Sequence, residues 1–280
     1  MTDAPPRWVR AVVTVSRAAS FGGNVVMLFC GELLCARVTP GGRDRVTSWI
    51  YANQKVFLRG GSDFDVGLLD WEERITTGPL FPRAGRILLG AAGGGREMLP
   101  LAERGYQIVA FEPSPLYRGA AEVAARFPNV QVVRASYADL VRSVEAGIGP
   151  LADAARGSFD AVILGWGSLS HVTDDQDRIA LLRAIRRIAP SAPVVLSFFR
   201  GAHTQTGPLE RVRRLIQWML RPLGSEVGSR LRFSMAFGFL RPLMLDDVQT
   251  LAADAGYHLL NPDGVKLGYA MLLPQKPVGG

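Results

Sequence analysis

Residues Arg86 to Ser114, RILLGAAGGGREMLPLAERGYQIVAFEPS, have the types and spacing best suited to chemistry on a ligand. An apolar run meets a loop of small residues, a helical stretch follows, and a second apolar run ends on a carboxylate, Glu112. Gly93 and Gly95 let a ligand approach the backbone, and the helix start at Arg96 and Glu97 offers free N–H groups. An acid closing the second strand can accept hydrogen bonds from ribose hydroxyls. A dinucleotide fingerprint, GxGxxG, needs a third glycine at position 98, where Met98 stands, so a nicotinamide or flavin site fits poorly. Farther along, FDAVILGWGSLSHV places Gly165, Trp166, Gly167, Ser168 and His171 after another apolar run. Histidine titrates near neutrality, so His171 suits a base that takes a proton from an acceptor, and equally an ordinary helix-entry residue. Tyr137 and Trp166 suit packing around an aromatic ring or a cation, and equally the core. Arg200 and His203 follow a later strand, where Arg200 can meet an anionic substrate group or a surface partner. Three scattered histidines, with Cys30 and Cys35 five apart, match no ligand spacing, so no metal site is expected.

These residues must be positioned by alternating strands and helices. Strands are predicted at Arg86–Gly90, Gln107–Glu112, Val130–Arg134, Phe159–Leu164, Pro193–Phe199, Tyr257–Leu260 and Gly268–Leu273. Helices are predicted at Arg96–Arg104, at Ser114 to about Phe127 with Ser114 and Pro115 as cap and first residue, and near Asp139–Glu145. A further helix runs up to Ile188 behind a Thr173/Gln176 capping box, and another spans Leu245–Ala255. Gly105 and Gly256 stand as helix stops. Such a series implies a parallel sheet with its ligand at the carboxyl ends of the strands, where the glycine loop, Glu112, Ser136–Tyr137 and the segment 165–171 converge.

Two segments fall outside the series. Residues 1–80 read as a helical cap, with Phe64, Trp71 and Glu72 placed where the chain can fold over the ligand. Residues 201–240 read as a lid or substrate insertion in a domain spanning 81–280. In it, Leu209, Val212, Leu215, Ile216 and Met219 mark an amphipathic helix. Leu231, Phe233, Met235, Phe237 and Phe239 then alternate with Arg232, Ser234, Ala236 and Gly238, which predicts one extended segment with a greasy face. That face, Phe233 and Phe237 above all, suits a roof over an apolar or aromatic substrate, and equally a core or dimer strand.

From Ile87 to Ser114 and from Phe159 to Val172 the chain resembles the class I, Rossmann-like S-adenosylmethionine-dependent methyltransferases. The order of elements extends the likeness from Arg86 to Leu273. The resemblance implies a seven-stranded, mostly parallel sheet flanked by helices, ordered 3-2-1-4-5-7-6 with strand seven antiparallel. It also implies S-adenosylmethionine as cofactor: Ala91, Gly93 and Gly95 in the glycine positions, Arg96 and Glu97 after them, and Glu112 with Pro113 at the ribose. Ser136 and Tyr137 then flank the adenine, and Gly165, Trp166, Gly167 and Ser168 form a wall. Three positions depart from the family pattern. Leu89 replaces an acid, Ala91 the first glycine, and Ser136 an aspartate; Ala91 fits its turn only with a negative φ. The implied activity is methyl transfer to the O, N or C atom of a small molecule, by aligning donor and acceptor and excluding water. The departures motivate a rival reading, a non-catalytic binding or scaffold protein on the same fold.

Composition bounds the rest. The net charge is +7, yet only three of 32 basic residues are lysines, and the arginines are scattered, so no nucleic-acid partner is expected. Two cysteines suit a reducing, cytoplasmic setting with both in the core. Phe21–Ala36, interrupted by Asn24 and Glu32, is too short and broken to span a bilayer and reads as a buried cap helix, ahead of the alternative of a membrane-touching one, without stable membrane insertion. Oligomeric state is not encoded in any visible pattern.

Overall fold

The computed structural model describes residues 7–201, 207–223, 230–263 and 267–275, with side chains for all of these except 7–21, 261–263 and 267. Five parallel strands carry the ligand end: β1 (Arg86–Gly90), β2 (Gln107–Phe111), β3 (Val130–Val133), β4 (Ala161–Leu164) and β5 (Val194–Phe199). The near-continuous apolar sequences of β1, β2, β4 and β5 are those of strands covered on both faces, whereas β3 is the edge strand and is only partly buried. Two more strands, β8 (Tyr257–Asp263) and β9 (Leu267–Pro274), complete the sheet in the order β3-β2-β1-β4-β5-β9-β8, with β9 antiparallel to both neighbours. This is the 3-2-1-4-5-7-6 arrangement, because β6 (Arg232–Ser234) and β7 (Gly238–Leu240) lie outside the main sheet.

Successive residues of β1 feed opposite faces. Leu88 joins the core beneath α6 (Tyr137–Ala146), α7 (Ala152–Ala155), α8 (Asp175–Ile188) and α10 (Leu245–Asp254). Ile87 and Leu89 join the core beneath α3 (Asp70–Thr77), α4 (Met98–Glu103) and α5 (Tyr117–Ala124). Leu89 is fully buried there, so its departure from the family pattern is a packing choice.

The N-terminal helices α1 (Arg7–Arg37) and α2 (Pro40–Ala52) pack on the segment that follows β5. That segment holds α9 (Pro208–Leu220) and a hairpin of β6 (Arg232–Ser234) and β7 (Gly238–Leu240). Glu32 of α1 accepts from Arg213 Nε and Gln217 Nε2 of α9, both partners of the ion pair being buried. Thr47 of α2 accepts from the Phe239 backbone N–H, and the αL turn at Gly238 (φ 72°) brings β7 against Thr47, where a Cβ would overlap. Cys35, Leu231 and Phe239 form a small core between these parts.

Several local expectations are corrected. The alternating stretch 231–239 is a hairpin, with Phe233 opposite Phe239. Ser234 Oγ accepts from the N–H groups of Ala236 and Phe237 and folds the chain back, leaving Met235 exposed at the tip. Asp174, not Thr173, caps α8, because its carboxylate accepts from Gln176 and Asp177 N–H. The helices expected from Arg96 and Ser114 begin at Met98 and Tyr117, after turns. Cys30 is exposed, and so are Val26, Met27 and Phe29: this stretch of α1 is not a buried helix.

Candidate functional site

A cavity of about 1030 Å³ opens at the carboxyl ends of β1, β2 and β4, roofed by α2 and the chain between α2 and α3. Its floor is the glycine loop. Gly93 is left-handed (φ 55°), and so is Ala91 (φ 53°), contrary to the negative φ expected for it. The turn is imposed by its surroundings: Ala92 N–H bonds to Phe111 O and Gly165 N–H to Gly90 O, clamping the loop between β2 and β4. Holding an alanine there costs on the order of 1–3 kcal/mol, a strain tolerated because these bonds over-determine it. Gly94, which the sequence reading passed over, allows Phe57 to lie directly on the loop; a Cβ would overlap its carbonyl oxygen.

Glu112 is 6% exposed and forms part of the cavity wall. Its Oε2 accepts from Gly93 N–H and its Oε1 from Ser114 N–H, each at 2.9 Å. Each oxygen keeps lone-pair capacity for a ligand hydroxyl. Burial pushes the carboxyl pKa up, opposed by hydrogen bonds from Ser114 and Gly93. Pro113 lies beside it in the wall. Ser136 also faces the cavity, but its hydroxyl serves as the N-cap of α6, accepting from Asp139 N–H and donating to Asp139 Oδ2 at 2.8 Å. Tyr137 packs edge-on against Phe111, and its hydroxyl lies 2.6 Å from Ser168 Oγ, so β4 and α6 are joined across the adenine side expected from sequence.

Arg96 and Glu97 line the cavity, yet neither side chain is free. Arg96 donates to both oxygens of Glu72 (2.6 and 2.7 Å), to Glu97 Oε1 (2.6 Å) and to Gly67 O (2.5 Å). Burial opposes the guanidinium charge, but Glu97 and Glu72 outweigh it and raise the pKa. Two carboxylates share one guanidinium, so burial pushes the Glu72 carboxyl upward. Glu72, noted for its position ahead of β1, thus ties α3 to the glycine loop.

The remaining expected residues divide. Gly95 (φ 97°) faces α5 and Met98 rather than the cavity. Gly165 and Gly167 shape the turn after β4: a Cβ would strike Ala91 O at the first and the Phe199 ring at the second. Trp166 and Ser168 reach the cavity. Arg200 does not; it sits at the end of β5, exposed and bridged to Leu243. Phe233 packs on Phe239 next to α1, outside the cavity wall. Phe237 stands behind it, with its ring 6.0 Å from Trp166 and 4.9 Å from Phe199. His203 lies outside the described residues.

His171 lines the same cavity. Its Nδ1 is 2.8 Å from Phe239 O and its Nε2 is 3.0 Å from the Tyr51 hydroxyl. A carbonyl only accepts, so Nδ1 carries the proton and Nε2 accepts from the phenol. Burial lowers the pKa of His171 and raises that of Tyr51, which keeps both neutral. Buried Arg178 fixes the turn that presents His171, donating to Leu169 O and pairing with Asp175 at 2.6 Å. Tyr51 and Phe57 stack in a tilted pair, and Phe57 meets Trp166 edge-on. Tyr51 was not anticipated: nothing within α2 distinguishes it, because its partner lies 120 residues away.

Residues 88–192 match the family model described as a methyltransferase domain. A search of curated proteins returned no match. Solved structures with the same fold include the methyltransferase CcbJ from Streptomyces caelestis, at 16% identity and TM-score 0.52, over 81% of this chain and 98% of that one. Another is a SAM-dependent methyltransferase from Methanosarcina mazei, at 16% identity and TM-score 0.53, over 75% of this chain and 99% of its own.

Proposed function

We propose that this class I S-adenosylmethionine-dependent methyltransferase methylates a small molecule with an apolar or aromatic body and a proton-bearing acceptor atom. The observation that carries the reading is a single cavity lined both by the glycine loop and Glu112 and by Tyr51, Phe57, Trp166 and His171. Its size and its aromatic wall fit a small acceptor beside the cofactor.

The residues present suit the cofactor. Glu112 offers free acceptor capacity to the ribose, the Gly93 backbone permits close approach, and Pro113, Ser136 and Tyr137 lie beside the adenine position. Bound there, S-adenosylmethionine supplies a methyl group already activated on a sulfonium. The chain's own work is to align, to exclude water and to take up one proton. Tyr51 Oη accepts the acceptor's proton while its own passes to His171 Nε2; Nδ1–H stays on Phe239 O. The imidazolium formed takes over the positive charge that the sulfonium loses. Phe57 and Trp166 close the wall against water. Residues 1–80 and 201–240 act in this reading as the cap and lid that select the acceptor.

Titration calorimetry with S-adenosylmethionine and S-adenosylhomocysteine tests the reading. Both bind the wild-type chain, and Glu112→Gln weakens S-adenosylmethionine by about 1.5–3 kcal/mol, the worth of a hydrogen bond to a charged group. Absence of heat with either compound would overturn it.

A further inference from the structure

The outer face of α9 carries an unexplained combination of grease and charge. Arg213, Ile216 and Leu220 point inward, while Leu215, Trp218 and Met219, spaced as neighbours on one helix face, are 57%, 65% and 55% exposed. Leu209 and Leu223 extend the apolar surface along the chain. Every exposed charge from 208 to 223 is an arginine: Arg211, Arg214 and Arg221. Glu210, the only acid in that stretch, is turned to Arg213 and Arg214. Alongside, α1 exposes Val26, Met27 and Phe29, and its only acid, Glu32, is consumed by Arg213. No helix among the described residues is long and apolar enough to cross a membrane.

We propose that this α1–α9 face docks the protein on an anionic lipid bilayer, as a peripheral and reversible contact. An exposed tryptophan and aliphatic side chains bordered by arginines have the make-up of a helix lying in the headgroup region. Charge decides against the two other occupants. A two-fold pairing of identical faces would bring Arg211, Arg214 and Arg221 towards their own copies, with no exposed acid among the described residues of α1 and α9 to meet them. A nucleic acid would satisfy the arginines and could stack on Trp218 and Phe29, but leaves Leu215, Met219, Leu223, Val26 and Met27 without a partner, since bases stack on aromatic rings. Phospholipid supplies both an anionic headgroup and an apolar layer beneath it.

Co-sedimentation of the full chain with phosphatidylcholine vesicles, and with vesicles of phosphatidylcholine and phosphatidylglycerol, tests the proposal. The protein pellets with the anionic vesicles only, and added salt releases it. Arg211→Gln and Arg214→Gln each weaken binding about fivefold. Trp218→Ser and, independently, Leu215→Ser reduce it without changing the melting curve, because these side chains are exposed. Four results would each overturn the idea: no pelleting with anionic vesicles, equal pelleting with both vesicle types, pelleting indifferent to all four variants, or vesicle-free dimers dissociated by Trp218→Ser. Retention of single-stranded RNA without vesicle binding would assign the face to nucleic acid and also refute it.

Discussion

Removing the guanidinium of Arg96 is the sharpest test of how α3 is fastened to the glycine loop. Arg96, Glu72 and Glu97 have side chains only 11%, 4% and 5% exposed, so water cannot replace the lost partner. In Arg96→Met two buried carboxylates are left facing each other, and one must take a proton. Protonating a carboxyl of ordinary pKa 4.5 at pH 7 costs about 3.4 kcal/mol. That lies within the roughly 3–5 kcal/mol expected when one partner of a buried ion pair is removed. For a chain of this size it corresponds to a melting temperature lower by about 7–14 °C. The pH dependence supplies the signature. In the variant the folded-state carboxyl pKa rises far above its unfolded value, so the stability tied to its proton is present at low pH and lost as pH rises. The gap between wild type and variant should narrow by about 1.4 kcal/mol per pH unit, shrinking to about 0.7 kcal/mol near pH 5. Calorimetric melts of both proteins between about pH 5 and 8 measure it. A gap below 1 kcal/mol at pH 7, or one of constant size across the range, would refute the reasoning.

Two further outcomes rest on buried groups. Glu32→Ala removes the close buried partner of Arg213 in the α1–α9 contact, leaving it Glu210 at 3.6 Å and an Nη2 that already lacks a hydrogen-bond partner, and should cost about 3 kcal/mol in urea unfolding. The double variant Glu32→Leu with Arg213→Met should recover most of that loss, and failure to do so would mean that the pair also fixes helix geometry. His171 has a folded pKa below its unfolded value, so its contribution is present above about pH 6.5 and lost as pH falls below it. His171→Gln should flatten that limb of the stability profile, and an unchanged limb would place the acid sensitivity elsewhere.

The sheet was legible because parallel strands buried on both faces are written as short apolar runs, and β1 and β5 fall within a residue of expectation. Glu112 and Gly93 were legible for a local reason: a strand end and a left-handed turn constrain residue type directly. The hairpin was not, since its alternation continues through the turn and Ser234, the residue that folds it, also suits a strand. Nor was the exposure of α1, because apolar composition alone does not distinguish a face covered by protein from one left open. The Tyr51–His171 and Arg96–Glu72 contacts depend on how α2 and α3 are docked over the sheet, which no local pattern records.

His171 draws these parts together. It belongs to the turn after β4, its Nδ1–H is held by the hairpin through Phe239 O, and its Nε2 is held by α2 through Tyr51. The unprotonated nitrogen therefore faces the phenol only while the hairpin and α2 are both seated. Withdrawal of the hairpin removes the carbonyl that fixes the tautomer. Withdrawal of α2 removes Tyr51, the group in contact with Nε2. Ser136 and Leu89, which seemed to weaken the site when read as substitutions, instead serve the α6 cap and the core, and Ala91 is held in its turn by strand pairing. The departures from the family pattern therefore leave the Tyr51–His171 wall intact, and what completes that wall comes from outside the sheet.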